Sequence, residues 1–216
     1  LGWQGLVYSR PGYGQSTPRP LGEPLPPDFM ERQALEVLPA LLQALGVDGT
    51  RRPLWLLGHS DGGSIALIHA AQHTDSVAGL VVLAPHIMVE DVSVASIAQA
   101  REAYQTTDLR ERLARHHRDP DAAFWGWNDV WLSPAFRDWS IEAMLPALTC
   151  PVLAVQGQDD EYGTLQQVFG IAEAAPQTHV VVLPHCGHSP HKDQPDVLLN
   201  HLASFTPSAE PVITQM

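Results

Sequence analysis

A mostly parallel α/β sheet flanked by helices, carrying a helical insertion, is the fold class this 216-residue sequence predicts. Three observations predict it. Short apolar runs of strand length recur along the chain and are apolar nearly throughout, as strands covered on both faces are. Stretches with helical spacing separate them. One segment, residues 86–147, breaks this rhythm with helix signals and no convincing strand.

Each element follows from local chemistry. Leu6-Val7-Tyr8 reads as the end of a strand, and residues 9–14 turn away from it. Asp28 and Glu31 form a capping box after Pro26-Pro27, with Leu35, Leu38, Leu41, Leu42 and Leu45 at helical spacing behind them. Pro39 predicts a kink there, and Gly46 a C-terminal cap. Strands are predicted over 53–58 (PLWLLG), 77–84 (VAGLVVLA), 151–156 (PVLAVQ) and 179–183 (HVVVL). Residues 64–71 read as a helix behind the first of these. Thr164 with Gln167 caps another helix that ends before Pro176. Pro195 opens the last, with Leu198, Leu202 and Phe205 on one face. Within 86–147, helix starts are predicted at Asp108/Glu111, Asp119-Pro120 and Ser133-Pro134. The domain reading is therefore a core of 1–85 and 148–216 with a cap of 86–147, which holds four of the six tryptophans.

Composition narrows the function. The chain is 44% hydrophobic and 17% charged, which excludes disorder and allows a large core. Its net charge is −12, and Lys192 is its only lysine, so phosphate backbones and anionic lipid surfaces are disfavoured partners. No apolar run is long enough to span a bilayer, and the first residues have no signal-peptide character. Two cysteines, Cys150 and Cys186, make neither a disulfide framework nor a zinc motif; a reducing cytoplasmic setting is expected.

The chemistry concentrates in three turns. Gly58-His59-Ser60-Asp61-Gly62 follows a strand run and opens a helix, the context of a nucleophile elbow. There a strained turn exposes the serine, the helix N-terminus favours negative charge, and the Asp61 N–H can face a developing oxyanion. The flanking glycines, Gly63 included, are expected to avoid collisions with neighbouring backbone. A serine nucleophile needs a base, and the base needs an orienting acid. Gly157-Gln158-Asp159-Asp160 follows one later strand and supplies the acid. Gly187-His188 follows the next and supplies the base. All three turns lie beyond strand C-termini, where open parallel sheets bind ligands.

Four motifs in order make the sequence resemble the α/β-hydrolase superfamily along essentially its whole length. Ser9-Arg10-Pro11-Gly12-Tyr13-Gly14-Gln15-Ser16 is similar to that family's Asp-x-x-Gly-x-Gly-x-Ser turn, with Ser9 in place of Asp. The elbow, the acid turn and the histidine loop follow. The resemblance implies that Asp160 rather than Asp159 is the acid. It also implies three strands and a His-Gly loop with a second oxyanion donor ahead of the first strand seen here. On that basis the chain is expected to be N-terminally truncated by roughly 50–70 residues.

The function expected is a serine hydrolase with an acyl-enzyme, Ser60, Asp160 and His188 as catalytic residues, Asp61 as oxyanion donor, and a small apolar or aromatic ester as substrate. No cofactor and no metal are expected; His185-Cys186-Gly187-His188-Ser189-Pro190-His191 holds four potential ligands, but on a tight turn. His59, Trp125, Trp127 and Trp131 are candidate substrate contacts, since ligand pockets are commonly aromatic-lined. Carbon–carbon bond hydrolysis, thioester hydrolysis, a ligand-binding relative and an inactive fragment are the alternatives. Oligomeric state is not legible.

Overall fold

A computed structural model describes residues 3–20 and 22–206. Its centre is a four-stranded parallel sheet of β1 (Trp55–His59), β2 (Gly79–Leu83), β3 (Val152–Gly157) and β4 (Thr178–Leu183), in that spatial order. The register runs Leu57 to Val81, Val81 to Leu153 and Leu153 to His179. All four predicted central strands are present, shifted by one or two residues. The helices are α1 (Phe29–Arg32), α2 (Leu38–Ala44), α3 (Asp61–Gln72), α4 (Asp91–Thr106), α5 (Leu109–Ala114), α6 (Pro120–Trp131), α7 (Gln166–Ala174), α8 (Pro190–Asp193) and α9 (Pro195–Phe205).

The near-continuous apolar character of the strands has a direct cause. Alternate residues point to opposite faces, and helices cover both. Leu80, Val82, Val152 and Ala154 join α1, α3, α6 and α7 in the larger buried cluster. Val81, Leu83, Leu153, Val155 and Val181 face Leu198 and Leu202 of α9. Cover on that second face runs out at β1, where Leu57 is 60% exposed beside a buried Val81.

The predicted strand at Leu6–Tyr8 is not formed. Residues 3–10 have no regular structure, and Val7 is 95% exposed. An apolar run becomes a strand only with a hydrogen-bonding neighbour, and among the described residues this one has none. The Pro39 kink is resolved differently from expectation. A π-helical turn, Gln33–Val37, joins α1 to α2 just ahead of the proline. The wider turn accommodates a ring that would otherwise meet the preceding carbonyl and that donates no N–H. Gly46 behaves as expected: at φ +67° it lets Gly46 and Val47 donate to Gln43 and Leu42, closing the helix. The capping box at Asp28 does not form, because its carboxylate accepts from Arg32 Nε at 3.0 Å instead. Gln167 likewise does not reach back to cap α7. Its side chain accepts from Ile87 N–H at 2.6 Å and donates to Glu90 at 2.7 Å, binding α7 to the segment after β2.

Residues 86–147 supply α4, α5 and α6 and two short 3-10 turns, with a single antiparallel bridge from Met88 to Ser140. Asp119 caps α6 by accepting from Ala122 N–H at 2.9 Å. The 16-residue helix α4 carries no side-chain cap, and no start signal marks it in the sequence. No helix among the described residues is long and apolar enough to cross a membrane.

Candidate active site

Ser60 links β1 to α3 with φ +54° and ψ −126°, outside the ordinary regions for a residue with a side chain. Close packing enforces that turn. A Cβ on Gly58 would stand 2.1 Å from the Gly62 carbonyl oxygen, and one on Gly63 would stand 3.0 Å from Pro85. Gly62 itself faces open space, so the collision expected for it is absent. Asp61 is the first residue of α3, so its N–H lies outside the helical ladder and is free to serve a ligand.

Beyond the C-terminal ends of β3 and β4 two further turns meet. A Cβ on Gly157 would stand 2.1 Å from the Cys186 carbonyl, so only glycine lets the two turns touch. That contact brings His188 Nδ1 to 2.8 Å from Asp160 Oδ1 and His188 Nε2 to 3.0 Å from Ser60 Oγ. A carboxylate only accepts, so the proton sits on Nδ1, leaving Nε2 to accept from the serine. Asp160 is only 2% exposed. Burial works to raise its pKa, but hydrogen bonds from His188 and the Tyr162 N–H prevail and hold the carboxyl below its usual range. Gln156 Nε2 donates to its other oxygen at 3.1 Å. Asp159 makes no such contact: its N–H donates to the Cys186 carbonyl, a turn role.

His59 approaches from β1. Its Nε2 donates to the His188 carbonyl at 2.7 Å, and its ring lies 4.9 Å from that of His188. Burial, with His188, His191 and Lys192 nearby, pushes its pKa down to about 4, so it is a neutral donor. The Cys186 thiol is buried and pushed up to about 11 by burial and by Asp193, which leaves it inert.

A cavity of about 360 Å³ opens over Ser60 and His188. Of the four candidate substrate contacts, His59, Trp127 and Trp131 line it. Trp125 does not: it packs on Tyr104 at 5.4 Å with Arg101 over its ring, because it projects from α6 about 100° away from the stripe of Phe124, Trp127 and Trp131. Five residues complete the wall that sequence reasoning left out: Arg10, Tyr13, His86, Ile97 and Tyr162. Arg10 and Tyr13 sit inside the glycine-rich turn already singled out; His86 and Ile97 have no local signal. Gln156 does have one, as a polar residue ending an apolar strand.

Comparison with known proteins identifies the family and the fold. A model of the Alpha/beta hydrolase family matches residues 1–201. The chain is 30% identical over 182 residues to 2-succinyl-6-hydroxy-2,4-cyclohexadiene-1-carboxylate synthase of Klebsiella pneumoniae, covering 71% of this chain and 68% of that protein. It is 28% identical to the mouse protein Serine hydrolase BPHL, covering 72% of this chain and 53% of that one. Thus the chain spans between about half and two thirds of the length of these relatives. The fold also matches E-2-(Acetamidomethylene)succinate Hydrolase with a TM-score of 0.65 at 18% identity, covering 90% of this chain and 78% of that structure. The elbow, the parallel sheet and the family match lead to one assignment: this chain belongs to the α/β-hydrolase family.

Proposed function

We propose that the chain is a serine hydrolase cleaving a small carboxylic ester through Ser60, His188 and Asp160. One observation carries the reading: the continuous chain of hydrogen bonds Ser60–His188–Asp160, at 3.0 and 2.8 Å, opening into a cavity at strand C-termini. Ser60 Oγ attacks the acyl carbon as His188 Nε2 takes its proton, and the N–H of Asp61 donates to the oxyanion. His188 then returns the proton to the leaving alkoxide, which departs as an alcohol and leaves an acyl-Ser60 ester. Water attacks that ester with His188 again as base, and collapse of the second tetrahedral intermediate releases the carboxylic acid and restores Ser60. Asp160 holds the imidazole in the productive tautomer and stabilises its cation. In this reading residues 86–147 act as the cap, supported by Ile97, Trp127 and Trp131 on the cavity wall. The cavity volume of about 360 Å³ points to a small substrate.

A fluorophosphonate probe tests the assignment. It is expected to label the wild-type chain at Ser60 and to leave Ser60→Ala unlabelled. Labelling that survives Ser60→Ala removes Ser60 from the mechanism.

A further inference from the structure

His188, the proposed base, lies outside every helix and strand, in the loop between β4 and α8. No ladder of regular structure fixes its peptide groups. Among the described residues, no backbone–backbone hydrogen bond uses its N–H or its carbonyl. Side chains take up both instead. The N–H donates to Glu161 Oε2 at 3.2 Å, and the carbonyl accepts from His59 Nε2 at 2.7 Å. These two side chains belong to the sequence neighbours of the other members of the hydrogen-bonded chain: His59 precedes Ser60, and Glu161 follows Asp160. One residue earlier in the loop, Gly187 N–H donates to Asp193 Oδ2 at 2.9 Å, which ties the loop to α8.

We infer that His59 and Glu161 are positioning residues, which hold the His188 backbone at its carbonyl and its N–H and thereby set the approach of His188 Nε2 to Ser60 Oγ. Each holder is placed by its own element. His59 ends β1 on the same face as Leu57, where its ring meets that of His191 of α8 at 4.7 Å. Glu161 is exposed, but its backbone is anchored: Ser96 of α4 donates to its carbonyl. Held at both ends, His188 cannot slide along the loop. Only its side-chain torsions remain to bring Nδ1 to Asp160 and Nε2 to Ser60. A displacement of about 1 Å at a reacting pair costs up to about 10²-fold in rate. His59 suits this task because burial pushes its pKa down to about 4. It donates without carrying a charge that would oppose an imidazolium forming in the ring 4.9 Å away. A residue that only lined the cavity would affect substrate binding; a residue that sets the base affects turnover.

The catalytic meaning of this arrangement rests on the hydrolase reading, and two measurements keep the two apart. The first is turnover of p-nitrophenyl acetate. His59→Leu removes the donor and is expected to lower kcat by about 10–100-fold while KM stays within about threefold. His59→Gln, whose amide again presents an N–H donor, is expected to recover most of that loss. Glu161→Ala is expected to lower kcat by about three- to tenfold, and Glu161→Gln, which keeps an acceptor oxygen, to recover most of it. The second measurement needs no reaction. The His188 Nδ1 proton, hydrogen-bonded to Asp160, is followed by proton NMR and assigned by its loss in His188→Gln. Its signal is expected to shift or broaden in His59→Leu and Glu161→Ala and to return in the two Gln variants. Urea midpoints identify a variant that does not fold; Glu161 is exposed, so its pair of variants decides the question if His59→Leu unfolds. An effect on KM alone, equal losses in the Gln variants and their partners, or an unmoved Nδ1 signal overturns the positioning role. A signal that moves and returns as expected, in a protein that neither cleaves the ester nor takes up the fluorophosphonate probe, keeps the positioning role and overturns the hydrolase reading.

Discussion

Two walls of one cavity follow opposite rules. On the wall built from strand ends the groups around the serine are committed: Ser60 to His188, His188 to Asp160, Asp160 to Gln156 and the Tyr162 N–H, and His59 to the His188 carbonyl. On the wall built from the glycine-rich turn and the segment after β2, the Tyr13 hydroxyl and His86 Nδ1 are shielded from solvent and unpartnered among the described residues. In the proposed reaction the first arrangement would keep Ser60, His188 and Asp160 in place before substrate arrives, so that little reorganisation is needed. The second leaves two buried polar atoms without a partner among the described residues. Gln156 is the exception on the first wall, because its Oε1 is buried without a partner among the described residues.

The sharpest way to break this comparison is at Asp160. Asp160→Asn presents an amide where His188 needs an acceptor, favouring the wrong tautomer. It is expected to lower ester kcat by about 10³–10⁴-fold with the fold retained. A loss below tenfold would mean that the committed wall is structural rather than catalytic.

Stability offers a second, smaller contrast. Ser64 Oγ is fully buried, donates to the His86 carbonyl at 2.6 Å and accepts from its N–H at 3.1 Å. Ser64→Ala leaves both backbone groups without that partner and is expected to cost about 1–3 kcal/mol in urea unfolding. Tyr13→Phe removes a hydroxyl that bonds to nothing described and is expected to cost no more than about 0.5 kcal/mol, or to stabilise. Equal losses in the two variants would show that Tyr13 has a partner after all.

The smallest effect concerns pH. Burial pushes His86 down to about 3 and His59 to about 4. In the unfolded chain both titrate near 6.5, so between about pH 6.5 and 4 the unfolded state binds protons that the folded state refuses. Stability from these groups is therefore full above about pH 6.5 and falls as pH drops toward 4. His59→Gln is expected to flatten that slope in urea midpoints measured at pH 7.5 and 4.5. An unchanged slope would show that His59 is not held neutral.

The legibility of these features in sequence tracks how local their causes are. Gly58 and Gly157 announce turns because a side chain at either would strike backbone 2.1 Å away. The tip residue Ser60 lies between a strand run and a helix pattern, both readable from a few neighbours. Expectations about single side chains fare worse when they depend on direction: Trp125 and Trp127 differ by two positions on α6, yet only Trp127 reaches the cavity. Leu6–Tyr8 shows the same limit for backbone. Its composition suits a strand, but strand formation depends on a neighbour that three residues cannot specify. Pro39 is intermediate: its disruption of the helix is legible, while the choice of a π-helical turn over a kink is a matter of how α1 and the π-helical turn pack on α3.

By itself the sequence determined the parallel α/β class, the four central strands and the glycine-bounded turns, because each rests on local patterns of burial and backbone sterics. Only the tertiary structure decided that Asp160 rather than Asp159 meets His188, that Gln156 braces it, and that Arg10, Tyr13 and His86 line the same cavity as Ser60. These contacts join residues from 4 to 128 positions apart. Their geometry follows from how helices and strands stack, and no stretch of chain encodes it alone.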